Sequence, residues 1–187
     1  MKLYLATSNP GKVREFTGLD VALLPGIQDL PVAPETGDTF EANAIQKALY
    51  YGTHADNWLI AEDSGLEVDA LGGAPGVYSA RWAGNDADNN ARLVREMAGQ
   101  TIRTARYVCV IALVDRDKIL ATFSGTVEGE IVQEPQGEGG FGYDAYFFYP
   151  PFEATFAEIS KDRKSGISHR GQAIEKLSAW LRENASR

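Results

Sequence analysis

The chain has a single cysteine in 187 residues, Cys109, so it cannot close an internal disulfide. The apolar run YVCVIALV around it marks that thiol as a small buried hydrophobe. Histidine is almost as scarce: His54 and His169 are too few and too far apart for a histidine-rich metal site, which leaves oxygen as the expected metal donor. No stretch approaches the roughly 18 uninterrupted apolar residues that a membrane span needs. The opening MKLYLATSNPGK lacks the roughly 7 to 15 residue apolar core of a secretion signal, so the expectation is a cytoplasmic protein with no membrane partner. Basic residues are in deficit, 18 against 26 acidic for a net charge of −8, which disfavours a nucleic-acid polymer as partner. No internal repeat, low-complexity tract or linker interrupts the sequence.

What is present is a hydrophobic content of 44%, three tryptophans and enough length for a substantial core. One folding unit, residues 1–187, is the expectation. KLYLAT reads as a first strand, and Asn9-Pro10-Gly11 turns it into a short helix through Val13, Phe16 and Leu19. ETGDTFEANAIQKALYYG has helical spacing in Phe40, Ala44, Ile45, Ala48 and Leu49, with Asp38 and Glu41 spaced as a capping box. Trp58–Glu62 and Leu66–Leu71 read as two strands, and Asp86 as the cap of a helix that Gly99 ends. RTARYVCVIALVD, KILATFSGTVEGEIVQ and AYFFY read as further strands. The first of these is apolar on both faces from Tyr107 to Val114 and so belongs at the sheet centre. A last helix shows Ile174, Leu177 and Leu181 on one face. The fold class is therefore α/β, a long mixed twisted sheet flanked by helices.

Between these elements lie the chemical candidates. Glu62 and Asp63 follow the apolar Leu59-Ile60-Ala61, where an ionised carboxylate needs a compensating partner. Strand alternation sends the two to opposite faces. Magnesium, which one or two carboxylates hold together with water and phosphate, is the expected partner of Asp63, with Ser64 beside it; the alternative is an acidic turn at Gly65. TSNPGK, residues 7–12, offers backbone N–H groups and Lys12 to an anion, or is an ordinary strand-to-helix turn; it is not a Walker A loop. Glu35 and Glu41 are possible second carboxylates, although the first suits a solvated loop and the second a helix cap. Lys47 faces either phosphate or water. In GEGGFGYD the glycines let main chain approach a ligand, and Phe141 or Tyr143 offers a surface for a base; a packed hairpin accounts for it equally well. SKDRKSGISHRGQ sets four basic residues against Asp162 alone and places Lys164, His169 and Arg170 together, which suits a small anion better than a polymer.

ATSNPGK, AEDSGL with VDALGGAPGVYSARWAG, GGFGYD and KSGISHRGQA, in this order and at these gaps, resemble the inosine triphosphate pyrophosphatase family, also called XTP/dITP diphosphatases. The resemblance covers nearly the whole chain. It implies a homodimeric, Mg²⁺-dependent enzyme that converts ITP, dITP or XTP to the nucleoside monophosphate and pyrophosphate, with its active cleft between two lobes of the sheet fold. Carried over by motif, Thr7, Ser8, Asn9, Pro10, Gly11 and Lys12 hold the triphosphate together with Lys47 and Lys164. Asp63 takes the general-base and metal position with Ser64 next to the substrate, and Glu35 is the second metal ligand. Phe141, Gly142, Tyr143 and Asp144 line the nucleoside, while His169 and Arg170 read the base. One departure stands out: many members read Thr-Phe-x-Glu-Asn where this chain has TFEAN, with Ala42 before Asn43. Glu41 is not expected to replace that acid, because neighbouring helical residues point about 100° apart. Two other readings remain open at this stage, a pyrophosphatase of modified pyrimidines or other nucleotides and a nucleotide-binding regulator without catalysis.

Overall fold

The computed structural model describes residues 2–16 and 18–184. Along the chain run β1 (Leu3–Leu5), α1 (Pro10–Glu15), β2 (Val21–Leu23), α2 (Phe40–Gly52), β3 (Leu59–Val68) and α3 (Asp86–Met97). They are followed by β4 (Thr104–Asp115), β5 (Lys118–Ile131), β6 (Phe147–Tyr149), β7 (Ala154–Thr155), α4 (Lys161–Ser165) and α5 (His169–Asn184). Among the described residues seven strands form one open sheet in the order β2-β1-β3-β4-β5-β6-β7. It is mixed: β1 runs parallel to β2 and β3, pairing Leu3 with Val21 and Tyr4 with Leu59, whereas β6 is antiparallel to β5 and β7. Only two residues join β4 to β5, a connection that serves antiparallel neighbours, and Arg116 takes φ 55° within it.

Burial explains the placement of the long strands. Cys109–Val114 of β4 is buried throughout, as a central strand covered on both faces requires. From Phe123 onward β5 alternates strictly between buried and exposed residues, the pattern of a strand with one covered face.

The chain divides into two compact units. The first comprises Met1–Asp63, Cys109–Gly125 and Arg170–Arg187. Its core joins Leu3, Leu5 and Ile60 of the sheet to Ile111 and Leu113 and to Ala173, Ile174 and Leu177 of α5. The second comprises Ser64–Val108 and Thr126–His169, and its core is aromatic. Tyr107 lies 4.6 Å from Phe147 and 5.9 Å from Phe156, centroid to centroid, over Leu66, Val68, Leu93 and Met97.

Several local expectations change. The first helix ends at Glu15, short of Leu19. Thr39, not Asp38, caps α2: its hydroxyl accepts from Ala42 N at 3.1 Å. Ala42 then stands where a capping box needs Glu or Gln, and Glu41 instead accepts from Thr122 Oγ1 at 2.8 Å. Asn85 caps α3, one residue ahead of Asp86. The two strands expected around EDSG are a single strand, β3, and Gly65 lies within it rather than in a turn. The chain need not turn toward water there, because cations inside the protein compensate both carboxylates. The short elements β2, β7 and α4 have too few residues to display a period.

Candidate active site

In the first unit, β1 hands the chain to α1 through the predicted phosphate loop. Asn9 adopts an extended backbone, and its Oδ1 accepts from Gly11 N at 2.8 Å and Lys12 N at 3.3 Å. Thr7 Oγ1 accepts from Asn9 N at 3.2 Å, and Pro10 at the helix start has no N–H to satisfy. Ser8, Asn9 and Pro10 are exposed, and Gly11 is buried. The helix turns Lys12 back toward β3, where its Nζ lies 2.5 Å from Glu62 Oε1.

Glu62 is thus neutralised by the protein itself. Its side chain is wholly buried; Arg170 Nη2 lies 3.5 Å from Oε2, and the Cys109 thiol donates to the same oxygen at 3.4 Å. Burial, the largest single influence, pushes its pKa up, but Lys12, Arg170 and Lys47 together prevail and hold it well below the usual carboxylate range. Arg170, only 2% exposed, also pairs with Glu15 through Nη1. Burial pushes the Cys109 thiol well up, and the charge of Glu62 adds to that.

Asp63 faces the other way, as strand alternation requires. Its Oδ1 meets Lys47 Nζ at 3.0 Å and its Oδ2 accepts from Asn43 Nδ2 at 3.2 Å. Asn43 and Lys47 are four apart and share one face of α2. The same ammonium lies 2.9 Å from Glu35 Oε1, so two carboxylates 28 positions apart in sequence converge on one cation. Glu35 is brought there by a loop tied to α2 at both Thr36 and Gly37. Gln46 accepts from Thr36 N at 2.9 Å and donates to Thr36 Oγ1 at 3.0 Å, while Asn43 Oδ1 accepts from Gly37 N at 2.8 Å. Burial raises the pKa of Asp63 against the pull of Lys47 and Lys12, and Glu62 adds to the rise. Lys47 is raised as well: burial opposes its charge, but Asp63, Glu62 and Glu35 outweigh it.

The expected magnesium fits Asp63 and Glu35. Their position around Lys47 Nζ shows that positive charge is stabilised between them, and both donate oxygen. Among the described residues no cluster of three or more His, Cys, Asp or Glu side chains offers a metal a complete cage. Magnesium does not require one, since it keeps water and substrate phosphate as partners. For Glu62 the compensating partners are Lys12 and Arg170. Glu41 is exposed and turned to Thr122, so the acid paired with Asp63 around Lys47 is Glu35. Ser64 follows Asp63 in β3, half-buried.

The second unit holds the glycine-rich loop. Asp144, buried, accepts from Phe141 N at 2.9 Å and from Lys164 Nζ at 2.6 Å. Gly140, at φ +72°, has no room for a Cβ against that carboxylate. The Lys164 ammonium lies 5.3 Å from the ring centroids of both Phe141 and Phe156. Of the two aromatics expected to meet a base, Phe141 is half-buried; Tyr143 is packed in the core, its hydroxyl donating to Ser79 O at 2.8 Å. His169 opens α5 stacked on Tyr107, with centroids 4.7 Å apart and planes 10° from parallel.

Sequence reasoning singled out Glu62 without finding its partners, and it missed Asn43 and Glu15, which contact Asp63 and Arg170. Asn43 had a signal, its i,i+4 relation to Lys47; Glu15 had none.

Known proteins resemble this chain over nearly its whole length. A dITP/XTP pyrophosphatase of an Exiguobacterium species is 49% identical over 190 residues, covering 97% of both chains. One from Geobacillus kaustophilus is 45% identical over 187 residues, covering 94% of this chain and 92% of its own. The solved structure of the Staphylococcus aureus Ham1 protein superposes with a TM-score of 0.87 at 40% identity, covering 98% of this chain and 99% of its own. A HAM1 protein from Coxiella burnetii gives the same score at 38% identity. The sequence model of the Ham1 family matches residues 3–180, nearly all of the described sheet and its helices, and with these likenesses it shows that the chain belongs to the Ham1 family.

Proposed function

We propose that this chain hydrolyses nonstandard purine nucleoside triphosphates (ITP, dITP and XTP) to the nucleoside monophosphate and pyrophosphate, with Mg²⁺ as cofactor, acting as one catalytic domain over residues 1–187. The observation that carries the reading is the convergence of Asp63 and Glu35 on Lys47, two oxygen donors beside an ammonium able to pair with phosphate. The relatives named dITP/XTP pyrophosphatase support the substrate class. A homodimer in the cytoplasm belongs to the same reading.

Asp63 and Glu35 would hold the magnesium, which when bound polarises phosphoryl oxygens as a Lewis acid. The Thr7–Lys12 loop, Lys47 and Lys164 grip the phosphate chain. Asp63 orients the attacking water and takes its proton; the water oxygen bonds to the α-phosphorus, and the bond to the α,β-bridging oxygen breaks, sending its electron pair out with pyrophosphate. Burial raises the pKa of Asp63 in the absence of metal, so its proton affinity exceeds that of an ordinary carboxylate.

Phe141, Gly142, Tyr143 and Asp144 hold the nucleoside, with Ser64 on the substrate beside Asp63 and His169 and Arg170 reading the base. An arginine can only donate hydrogen bonds, so it gains a bond from the 6-oxo group of inosine or xanthosine that the 6-amino group of adenosine does not accept. Such a site rejects the wrong partner by as much as ~10⁴-fold.

The test is a Mg²⁺-dependent assay over ITP, XTP, GTP and ATP that separates pyrophosphate from orthophosphate. Pyrophosphate from ITP and XTP, far above that from ATP, is the expected outcome. Orthophosphate as the product, or tight ITP binding without turnover, overturns the proposal.

A further inference from the structure

The segment VYSARWAGNDADNN, residues 77–90, contributes part of the resemblance but supplies no residue to the chemistry above. Within the second unit it meets the glycine-rich loop at several points. Ser79 O receives both the Tyr143 hydroxyl and, at 3.3 Å, Asn89 Nδ2. Asp86 Oδ2 accepts from Gly142 N at 3.2 Å, and Asn90 Nδ2 donates to Gly142 O at 3.0 Å. Asp86 and Asn90 are four apart on α3 and reach the same residue from one helical face. Both polar groups of Gly142 are therefore held by side chains of a single helical turn. The second amide atom of Asn90, Oδ1, is buried with no hydrogen-bond partner among the described residues, so the Gly142 contact is the bond that orients this side chain.

Gly142 is the residue of this loop that most needs such a hold. It takes φ +61°, and nothing lies within 4 Å of where a Cβ would sit, so packing does not brace its Cα. Asp144 N donates to Phe141 O at 3.3 Å, which closes a four-residue turn with Gly142 at its first central position. A positive φ there belongs to the primed turns. Each peptide unit is rigid and planar, so fixing Gly142 N and Gly142 O fixes the planes on both sides of Gly142 and with them the direction in which Phe141 leaves the chain.

We propose that Asp86 and Asn90 are positioning residues for base recognition: they lock the Phe141–Asp144 turn so that the Phe141 ring presents one fixed face to the purine. The inference rests on the function proposed above and deepens it, since it names residues that set selectivity without touching phosphate or metal. Asp86 is exposed and Asn90 half-buried, so substitutions there leave the core intact.

The experiment compares wild type with Asp86→Ala, Asn90→Ala, Asp86→Asn and Asn90→Asp, each as the full chain with Mg²⁺. KM and kcat are measured for ITP, together with the ITP-to-ATP selectivity and inhibition by pyrophosphate, which has no base. Losing one net hydrogen bond predicts a KM for ITP raised roughly tenfold in either alanine variant, with kcat within about threefold. Selectivity falls by a similar factor, and the inhibition constant of pyrophosphate does not move. Asp86→Asn keeps an acceptor and restores KM, whereas Asn90→Asp sets a carboxylate against Gly142 O and reproduces the defect even if Asn90→Ala fails to fold. Folded variants with unchanged KM, or a pyrophosphate constant that rises in step with KM, overturn the positioning role while the hydrolase reading stands. A wild-type protein that releases no pyrophosphate from ITP removes both.

Discussion

The two sides of β3 at residues 62 and 63 make opposite use of the same chemical group. On one side Glu62 meets two cations, Lys12 and an Arg170 that also pairs with Glu15; its side chain is fully withdrawn from water, and it is held ionised well below the ordinary range. On the other, Asp63 shares one ammonium with Glu35 and is pushed toward the neutral form by burial. Nothing in the dipeptide Glu-Asp itself distinguishes these fates. They follow from which helix covers each face, α1 and α5 over Glu62, α2 over Asp63. The first carboxylate stays ionised beside its two cations; the second has its proton affinity raised, as the proposed base requires.

The sharpest way to break this contrast is Asp63→Asn, which should lower pyrophosphate release from ITP by about 10³-fold, the scale of a lost general base, while leaving the melting temperature unchanged or higher. A turnover within threefold of wild type at saturating Mg²⁺ would put Asp63 outside the mechanism. Glu62→Gln should do the reverse in kind. Leaving Arg170 buried with less compensation should lower stability by about 3 kcal/mol, read as a shifted midpoint in urea at unchanged slope. Equal stability of the two variants would erase the distinction between the faces.

Acid titration separates the same pair by sign. The folded pKa of Glu62 is depressed, so its stabilisation is present above the unfolded value and is lost as pH falls through the folded one. The folded pKa of Asp63 is raised, so its ionisation opposes folding, and stability declines as pH rises from the ordinary 3.8 through the folded value. Urea unfolding across that window should show wild type losing stability relative to Asp63→Asn as pH increases. A smaller effect is expected of Glu35→Gln: the Mg²⁺ concentration for half-maximal rate should rise roughly tenfold, the scale of one charge-assisted bond, with little change at saturation.

The sheet was readable in the sequence wherever a strand was long enough to show its pattern. Tyr107–Val114 announced a central strand and the alternation after Phe123 a half-covered one, whereas β2 and β7, with three and two residues, carried too little pattern to read. Caps slipped by one residue because Asp38 and Thr39, or Asn85 and Asp86, are both competent, and tertiary packing chooses between them. Asp63, Glu35 and Lys47 could each be picked out in the sequence, but their convergence could not, because it depends on a loop folded back onto its own helix. The partners of Glu62 were out of reach for the same reason: Lys12 and Arg170 stand 50 residues before it and 108 after it.

That folded-back loop has a mechanical consequence. With Thr36 joined to Gln46 by two hydrogen bonds and Gly37 to Asn43 by one, the arm bearing Glu35 and the helix bearing Lys47 form one bracket, while Asp63 belongs to the sheet. Asn43 and Lys47 of the same helix also hold Asp63, so the spacing of the two acids is set by how α2 sits on β3 rather than by either side chain alone.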